Sequence, residues 1–317
     1  MPRDSGVPGG KNLYLNPAGR GGEKGSPMSD NKPERITVPS LIARKAAGEK
    51  IAVLTAYDYP TAAILDEAGI DVVLVGDSLG MVVLGYDTTI PVTMEDMLHH
   101  TRAVTRAVKR ALVIGDMPYF SFHLSVEQAL ANASRFLKEG GAQGVKIEGA
   151  SASRLRIVEA LTDAEIPVMG HVGLTPQSIC RLGQYKVRGV EGAEADRIIR
   201  GAKDLERAGA FAVVLESIPL ELAGVVTGKL RIPTIGIGAG PRCDGQVLVF
   251  HDMAGYSKGY LPRFVRKYAD VQGVLSRAVR EYADDVRKGT FPDDRTSYHL
   301  KPGASGPAGP RKKGGKR

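Results

Sequence analysis

Tryptophan is absent from these 317 residues, aromatic residues make up only 6% of them, and cysteine occurs twice. So few rings offer little for stacking on the bases of a nucleic acid. Cys180 and Cys243 lie 63 positions apart with no C-x-x-C spacing, which excludes a zinc site built on thiolates and a disulfide framework. Two reduced thiols fit a cytoplasmic protein. No apolar stretch approaches the length of a membrane span, so no membrane partner is expected. The N-terminus lacks a continuous apolar h-region, so a secretory signal is not expected either.

Charge of one sign is also scarcer than the total suggests. Of the net +8, six units come from Lys301, Arg311, Lys312, Lys313, Lys316 and Arg317, in a segment with no acid. Residues 1–34 hold five basic residues against four acids, which leaves residues 35–300 at +1. The central region is nearly neutral, and its charge gives no reason to expect a nucleic-acid partner. Residues 1–34, rich in Gly, Pro, Ser and Asn, and the low-complexity 301–317 segment lack hydrophobic periodicity and read as disordered tails. One catalytic domain is expected between them, over 35–300.

That region alternates. Strand-like runs fall at Ile51–Tyr57, Val72–Val75, Ala111–Gly115, Gly144–Ile147, Pro167–Gly170, Ala212–Leu215, Thr234–Ile237 and Gln246–Phe250. Helical patterns lie at Thr61–Ala68, Met94–Val108, Val126–Glu139, Ala152–Thr162, Ala195–Ala208 and Pro219–Thr227. A first helix from Leu41 to Ala47 takes Ser40 as its cap, and Pro262–Arg287 has apolar residues at helical spacing. Thr93 with Asp96, and Ser125 with Gln128, have capping-box spacing. Eight strands alternating with helices define an α/β fold, a (β/α)8 TIM barrel with an N-terminal helix and C-terminal helices. Only eight residues separate Ile237 from Gln246, too few for a crossover helix. Residues 246–250 are therefore either the eighth strand or a short helix, and an open doubly wound sheet is the alternative architecture.

In such barrels chemistry sits at the carboxyl ends of the strands. There this sequence places Asp58, Asp77, Asp116, Glu148, His171, Glu216 and Asp252. Asp58 precedes Tyr59-Pro60 and suits a helix cap. Asp77, Asp116 and Glu148 end three neighbouring strands, and Lys146 shares a strand face with Glu148. Three carboxylates are hard oxygen ligands that favour Mg²⁺ over zinc. The pattern suggests chelation of a small oxyacid, polarisation of its carbonyl and stabilisation of an enolate. Glu216, at the end of an apolar strand, is the candidate base. His171 is open to two readings, a substrate contact or a satisfied loop histidine. Gly236-x-Gly238-x-Gly240 departs from the dinucleotide fingerprint and suits close backbone approach to a ligand.

Leu54–Asp58, Val75–Gly80, Val145–Gly149, Gly170–Ser178 and Ile235–Gly240 together resemble the ketopantoate hydroxymethyltransferase family, from about Arg35 to His299. The resemblance implies transfer of a hydroxymethyl group from 5,10-methylenetetrahydrofolate, as co-substrate, to 3-methyl-2-oxobutanoate, giving 2-dehydropantoate and tetrahydrofolate in pantothenate biosynthesis. It also implies a barrel related to phosphoenolpyruvate mutase and isocitrate lyase, and a magnesium-dependent homo-oligomer, commonly a decamer. Carried over motif by motif, Asp77, Asp116 and Glu148 hold the metal, Asp77, Ser78, Asp116 and Lys146 hold the 2-oxo acid, Glu216 accepts the proton, and His171 matches an active-site histidine. A metal-dependent carbon–carbon lyase or mutase of the related superfamily is the rival. Its K-x-C-G-H loop is missing here, and Cys180 follows Ser178-Ile179 in another context.

Overall fold

The computed structural model describes residues 34–259 and 261–303. Most of the two expected tails, residues 1–33 and 304–317, therefore lies outside the described residues. The elements run α1 (Val38–Ala47), β1 (Ile51–Thr55), α2 (Tyr59–Glu67), β2 (Val72–Val75), α3 (Leu79–Val82), α4 (Met94–Ala107), β3 (Leu112–Asp116), α5 (Val126–Lys138), β4 (Gly144–Glu148) and α6 (Ala152–Asp163). They continue with β5 (Val168–Gly173), α7 (Ile179–Leu182), α8 (Gly192–Arg207), β6 (Ala212–Glu216), α9 (Leu220–Lys229), β7 (Thr234–Ile237), β8 (Gly245–Leu248), α10 (Phe250–Met253) and α11 (Val271–Lys288). The eight strands pair in chain order, all parallel, and β1 pairs with β8, so the sheet is a closed (β/α)8 barrel.

Period-two alternation sorts each strand between two cores. Val72 and Leu74, Leu112 and Ile114, Ala212 and Val214 pack in the barrel interior with Ile51, Val53, Met169, Ile235 and Val247. Val73 and Val75, Val113, Val145 and Ile147, Val213 and Leu215 pack outward among the helices. Leu41 of α1 joins the interior cluster. Continuing the inward rows toward the carboxyl ends gives Asp116 after Ile114, Lys146 and Glu148 on β4, His171 after Met169, and Glu216 after Val214. The functional candidates are thus the top layer of the barrel filling.

Several local expectations change. Thr37, not Ser40, caps α1; Ser40 is the reciprocal partner three residues on, and Gly48 ends the helix at φ 74°. The Thr93–Asp96 box forms. Ser125 caps α5, but the Gln128 side chain bonds Leu124 N and Phe120 O instead of closing a box. The Pro262–Arg287 helix begins only at Val271. Val265 N closes an isolated turn onto Pro262 O, Tyr268 and Val271 donate their N–H groups to Met253 and Ala254 at the end of α10, and Asp270 caps Gly273. At the eighth position both readings occur in succession, a strand over Gly245–Leu248 and then a short helix from Phe250. The short link before β8 is held by Asp244, whose Oδ2 accepts from Thr234 N at 2.8 Å and from Lys45 Nζ at 2.7 Å.

Candidate active site

A continuous chain of polar contacts crosses the carboxyl ends of β2 to β6. Asp77 N donates to Asp116 Oδ2 at 3.3 Å. Lys146 Nζ donates to both Asp116 oxygens at 2.8 Å and lies 3.6 Å from Glu148 Oε1. His171 stands between two acids, its Nδ1 3.6 Å from Glu148 Oε1 and its Nε2 3.3 Å from Glu216 Oε2. Asp77, Asp116, Lys146, Glu148 and His171 are all buried, and the Glu216 side chain is 16% exposed. Of the acids placed at the rim, Asp58 and Asp252 stay outside this group. Asp58 caps α2 through Thr61 N at 2.8 Å, and Asp252 accepts from Ser257 Oγ.

Ser78 follows Asp77 but turns to Tyr57, with 2.8 Å between the two hydroxyl oxygens. A Cβ on Gly76 would come within 2.8 Å of Ser78 Oγ, so the preceding glycine is what leaves room for that rotamer. The three glycines of Gly236–Gly240 abut protein on the side where a side chain would project; a Cβ at Gly236 would meet Cys243 Sγ at 2.9 Å. A Cβ at Gly238 would meet the Phe264 ring at 2.6 Å and one at Gly240 would meet Leu220 Cβ at 2.5 Å, so the motif also lets the chain pack closely against these side chains.

Three buried carboxylates share one ammonium, and the imbalance favours the neutral form of Asp77 and Glu148. Burial, then repulsion from Asp116 and Glu148, pushes Asp77 well above the ordinary carboxylate range. Burial raises Glu148 to about 8, with Asp116 and Glu216 adding to it and Lys146 opposing. Glu216 also rises to about 8, chiefly through burial. Burial opposes the charge on Lys146, but Asp116, Glu148 and Asp77 hold it above its ordinary value. Burial and the nearby Lys146 push His171 well below the usual imidazole range, so it is neutral at pH 7. Neither ring nitrogen of His171 makes a well-aligned hydrogen bond among the described residues, while the Leu174 backbone lies near enough to favour its charged form slightly, so both readings of this histidine stay open.

Backbone geometry holds Glu216 in place. Its carbonyl accepts from Leu174 N at 2.9 Å, and Ser217 N donates to Ile237 O at 2.8 Å. Ser217 itself has φ 48°, a left-handed conformation for a non-glycine residue, of the kind that costs about 1–3 kcal/mol.

The site includes residues that sequence reasoning passed over. Gln177 is buried in a 3-10 turn after β5; its Nε2 bonds Asp77 Oδ2 and Met117 O, both at 2.9 Å, and its backbone N bonds Glu148 Oε2 at 3.1 Å. A signal for it existed in Thr175-Pro176. Proline at the first position of a helical turn leaves the next N–H without an intrahelical acceptor, here at the mouth of the barrel. Tyr57, buried at the end of the first strand-like run, was seen only as part of a motif.

The donor chemistry fits a hard cation. Asp77, Asp116 and Glu148 offer carboxylate oxygens, and their charge exceeds what Lys146 neutralises. No three His, Cys, Asp or Glu side chains converge closely enough to enclose a metal among the described residues. One or two of these carboxylates would suffice for magnesium, which completes its shell with water or ligand oxygens.

This surplus charge makes a stability prediction. A carboxylate whose pKa is raised in the fold disfavours the folded state as pH rises past its unfolded value, near 3.9, toward the folded one. Asp77→Asn removes that charge and keeps an acceptor for Gln177. In metal-free buffer at pH 8 it is expected to gain about 0.5–2 kcal/mol, read as a higher Tm, and the gain should shrink toward pH 4. The same variant should weaken magnesium and 2-oxo acid binding together by at least about tenfold. An unchanged melting curve at pH 8 would contradict the charge imbalance.

Barrels of this shape are known. The chain superposes on 2,3-dimethylmalate lyase, a member of the phosphoenolpyruvate mutase/isocitrate lyase superfamily, with a TM-score of 0.54 at 16% identity, covering 84% of this chain and 93% of that one. It superposes equally on phosphonopyruvate hydrolase solved with oxalate and Mg²⁺, with a TM-score of 0.53 at 15% identity over 82% of this chain and 92% of the other. At 15–16% identity these likenesses show a shared barrel fold, here with acids lining its mouth. Sequence narrows this further. The ketopantoate hydroxymethyltransferase family model matches residues 35–294, and the chain belongs to that family. It is 55% identical over 267 residues to a 3-methyl-2-oxobutanoate hydroxymethyltransferase of Thermoanaerobacter sp. strain X514, covering 84% of this chain and 97% of the relative. A Dehalococcoides mccartyi protein of the same name is 56% identical over 266 residues, 84% of this chain and 95% of the relative. The chain is accordingly a hydroxymethyltransferase, and the lyase and mutase relationship is one of fold.

Proposed function

We propose that this enzyme moves the one-carbon unit of 5,10-methylenetetrahydrofolate onto C3 of 3-methyl-2-oxobutanoate and, with one water, releases 2-dehydropantoate and tetrahydrofolate, a step of pantothenate biosynthesis. The observation that carries the reading is Glu216, a raised-pKa carboxylate at the end of β6, joined through His171 to the acid and lysine cluster. The names of its 55–56% identical relatives support the same substrate.

In this reading Asp77, Asp116 and Glu148 would hold magnesium, which supplies Lewis-acid polarisation of the 2-oxo group when bound. Lys146 would pair with the substrate carboxylate, the Ser78 hydroxyl would add a donor on turning from Tyr57, and Asp77 and Asp116 would flank the oxo acid. Glu216 removes the C3 proton in a site from which most water is excluded. The resulting enolate attacks the methylene carbon of the folate iminium. His171, neutral and 3.3 Å from Glu216 Oε2, restrains the base and can hydrogen-bond it. Most of the rate comes from holding these groups in register.

A cytoplasmic homo-oligomer, commonly a decamer in the family, belongs to the same proposal. Its support is that α11 buries none of its residues although Val274, Leu275, Val279, Tyr282 and Val286 recur along it at helical spacing. No helix among the described residues is long and apolar enough to cross a membrane.

The test is exchange of the C3 proton of 3-methyl-2-oxobutanoate with deuterium, followed by NMR without folate. A base with a pKa of about 8 is protonated and idle at pH 6, so exchange should rise with pH and level off above about 8, with a slope of one proton. Exchange that is absent with Mg²⁺, or flat from pH 6 to 9, would sink this assignment.

A further inference from the structure

Each side-chain N–H of Gln177 meets an acceptor, Asp77 Oδ2 and Met117 O, both at 2.9 Å. That fixes the orientation of the amide, because a flip would set its oxygen against a carboxylate and a carbonyl. Its backbone N–H holds Glu148 Oε2 at 3.1 Å. One residue from the end of β5 therefore reaches the ends of β2, β3 and β4. The residue is only 5% exposed, and its Oε1 accepts nothing among the described residues. No described residue donates to Asp77 Oδ1, and Glu148 Oε1 has only the 3.6 Å approaches of Lys146 and His171.

We infer that Gln177 is a positioning residue, clamping one oxygen of Asp77 and one of Glu148 so that the other oxygen of each is turned toward a bound cation and 2-oxo acid. This deepens the proposed function and rests on it. Asp77, Asp116 and Glu148 repel one another, and without a donor between them Asp77 and Glu148 would swing apart. A lysine here would restrain them but also cancel the charge that attracts a cation. A glutamate would add a further acid and remove the donor. The neutral side-chain amide restrains Asp77 and the backbone N–H restrains Glu148, and neither cancels an acid's charge. The spare Oε1 is available to a donor brought in with the ligand.

Gln177→Met keeps the length of the side chain and removes the amide. Magnesium titrated calorimetrically into the free protein should bind about 10–100-fold more weakly, the effect typical of losing a partner that orients a ligating group. KM for 3-methyl-2-oxobutanoate should rise in step, with kcat at saturating magnesium within about threefold, because Gln177 does not touch Glu216. A merely structural defect would lower the amount of active enzyme, and so kcat, with KM unmoved. Combined with Asp77→Asn, the loss should be less than additive, since Gln177 acts through Asp77. Gln177→Asn, whose amide is one methylene short, serves if the methionine variant does not fold, with the same expectation. Unchanged magnesium affinity and KM, a loss confined to kcat, or additivity with Asp77→Asn would each overturn the inference alone. Failure of the unaltered chain to bind magnesium or exchange the C3 proton would overturn the proposed reaction and this inference with it.

Discussion

Glu216→Gln is expected to bind 3-methyl-2-oxobutanoate within a few-fold of the unaltered enzyme and to exchange its C3 proton about 10²–10⁴-fold more slowly, the range over which a positioned general base contributes. The substitution is isosteric, so the backbone bonds at Leu174 and Ile237 and the approach to His171 need not change. What it removes is the lone pair that receives the proton. The environment singles out this carboxylate. It is far enough from Lys146 to escape a direct ion pair, and burial raises it to about 8, where a base is both available and strong enough at working pH. The rival base is His171, whose low pKa also leaves it unprotonated at pH 7. The two separate cleanly: with His171 as the base, exchange would survive in Glu216→Gln and vanish in His171→Gln. Persisting exchange in Glu216→Gln would falsify the assignment, whatever its effect on overall turnover.

Why Glu216 and its partners were legible before any coordinates, and Gln177 was not, has a physical answer. Strand side chains alternate with period two, so an acid two residues beyond an inward apolar position also points inward. Ile114 to Asp116 and Val214 to Glu216 obey that rule and Lys146 shares its face with Glu148, whereas Asp77 lies beyond the outward Val75, just past its strand. His171 was placed after its strand, yet β5 continues to Gly173 and carries it as an inward residue. Gln177 sits in a turn with no such phase, and its main partner is 100 positions away. The rim acids Asp58 and Asp252 show the converse. Strand-end position alone did not distinguish a helix cap or a serine contact from a site residue, and only partners across the barrel do. Ser78 was assigned by family resemblance, and its actual neighbour, Tyr57, lies on another strand-to-helix connection. The late start of α11 follows the same logic. Apolar spacing from Pro262 onward is helical, but backbone bonds to α10, remote in pattern though near in chain, capture those residues first.

Lys146→Met should be the most destabilising of the single substitutions in this site, because Lys146 is the cation that Asp116, Glu148 and Asp77 share. Removing one partner of a buried pair costs about 3–5 kcal/mol, since the other charge stays buried without compensation. Methionine fills similar space, so the loss is electrostatic rather than a cavity. At about 2–4 °C per kcal/mol for a domain of this size, Tm should fall by roughly 6–20 °C in metal-free buffer at pH 8. The sign with pH follows from linkage. Without the ammonium that opposes their rise, Asp77 and Glu148 are raised further in the fold, so the deficit develops as pH rises from their unfolded values toward the folded ones, and it should shrink at pH 5 as they take up protons. Activity should be lost at every pH, because the group proposed to face the substrate carboxylate is gone. The control is Lys146→Met with Asp116→Asn, which removes both partners of the 2.8 Å pair and should recover much of the stability without recovering turnover. If the single variant melts with the unaltered protein, or the double variant melts lower than the single, then Lys146 does not serve as the shared counter-charge, and the close packing of three acids at the ends of β2, β3 and β4 requires a different source of compensation.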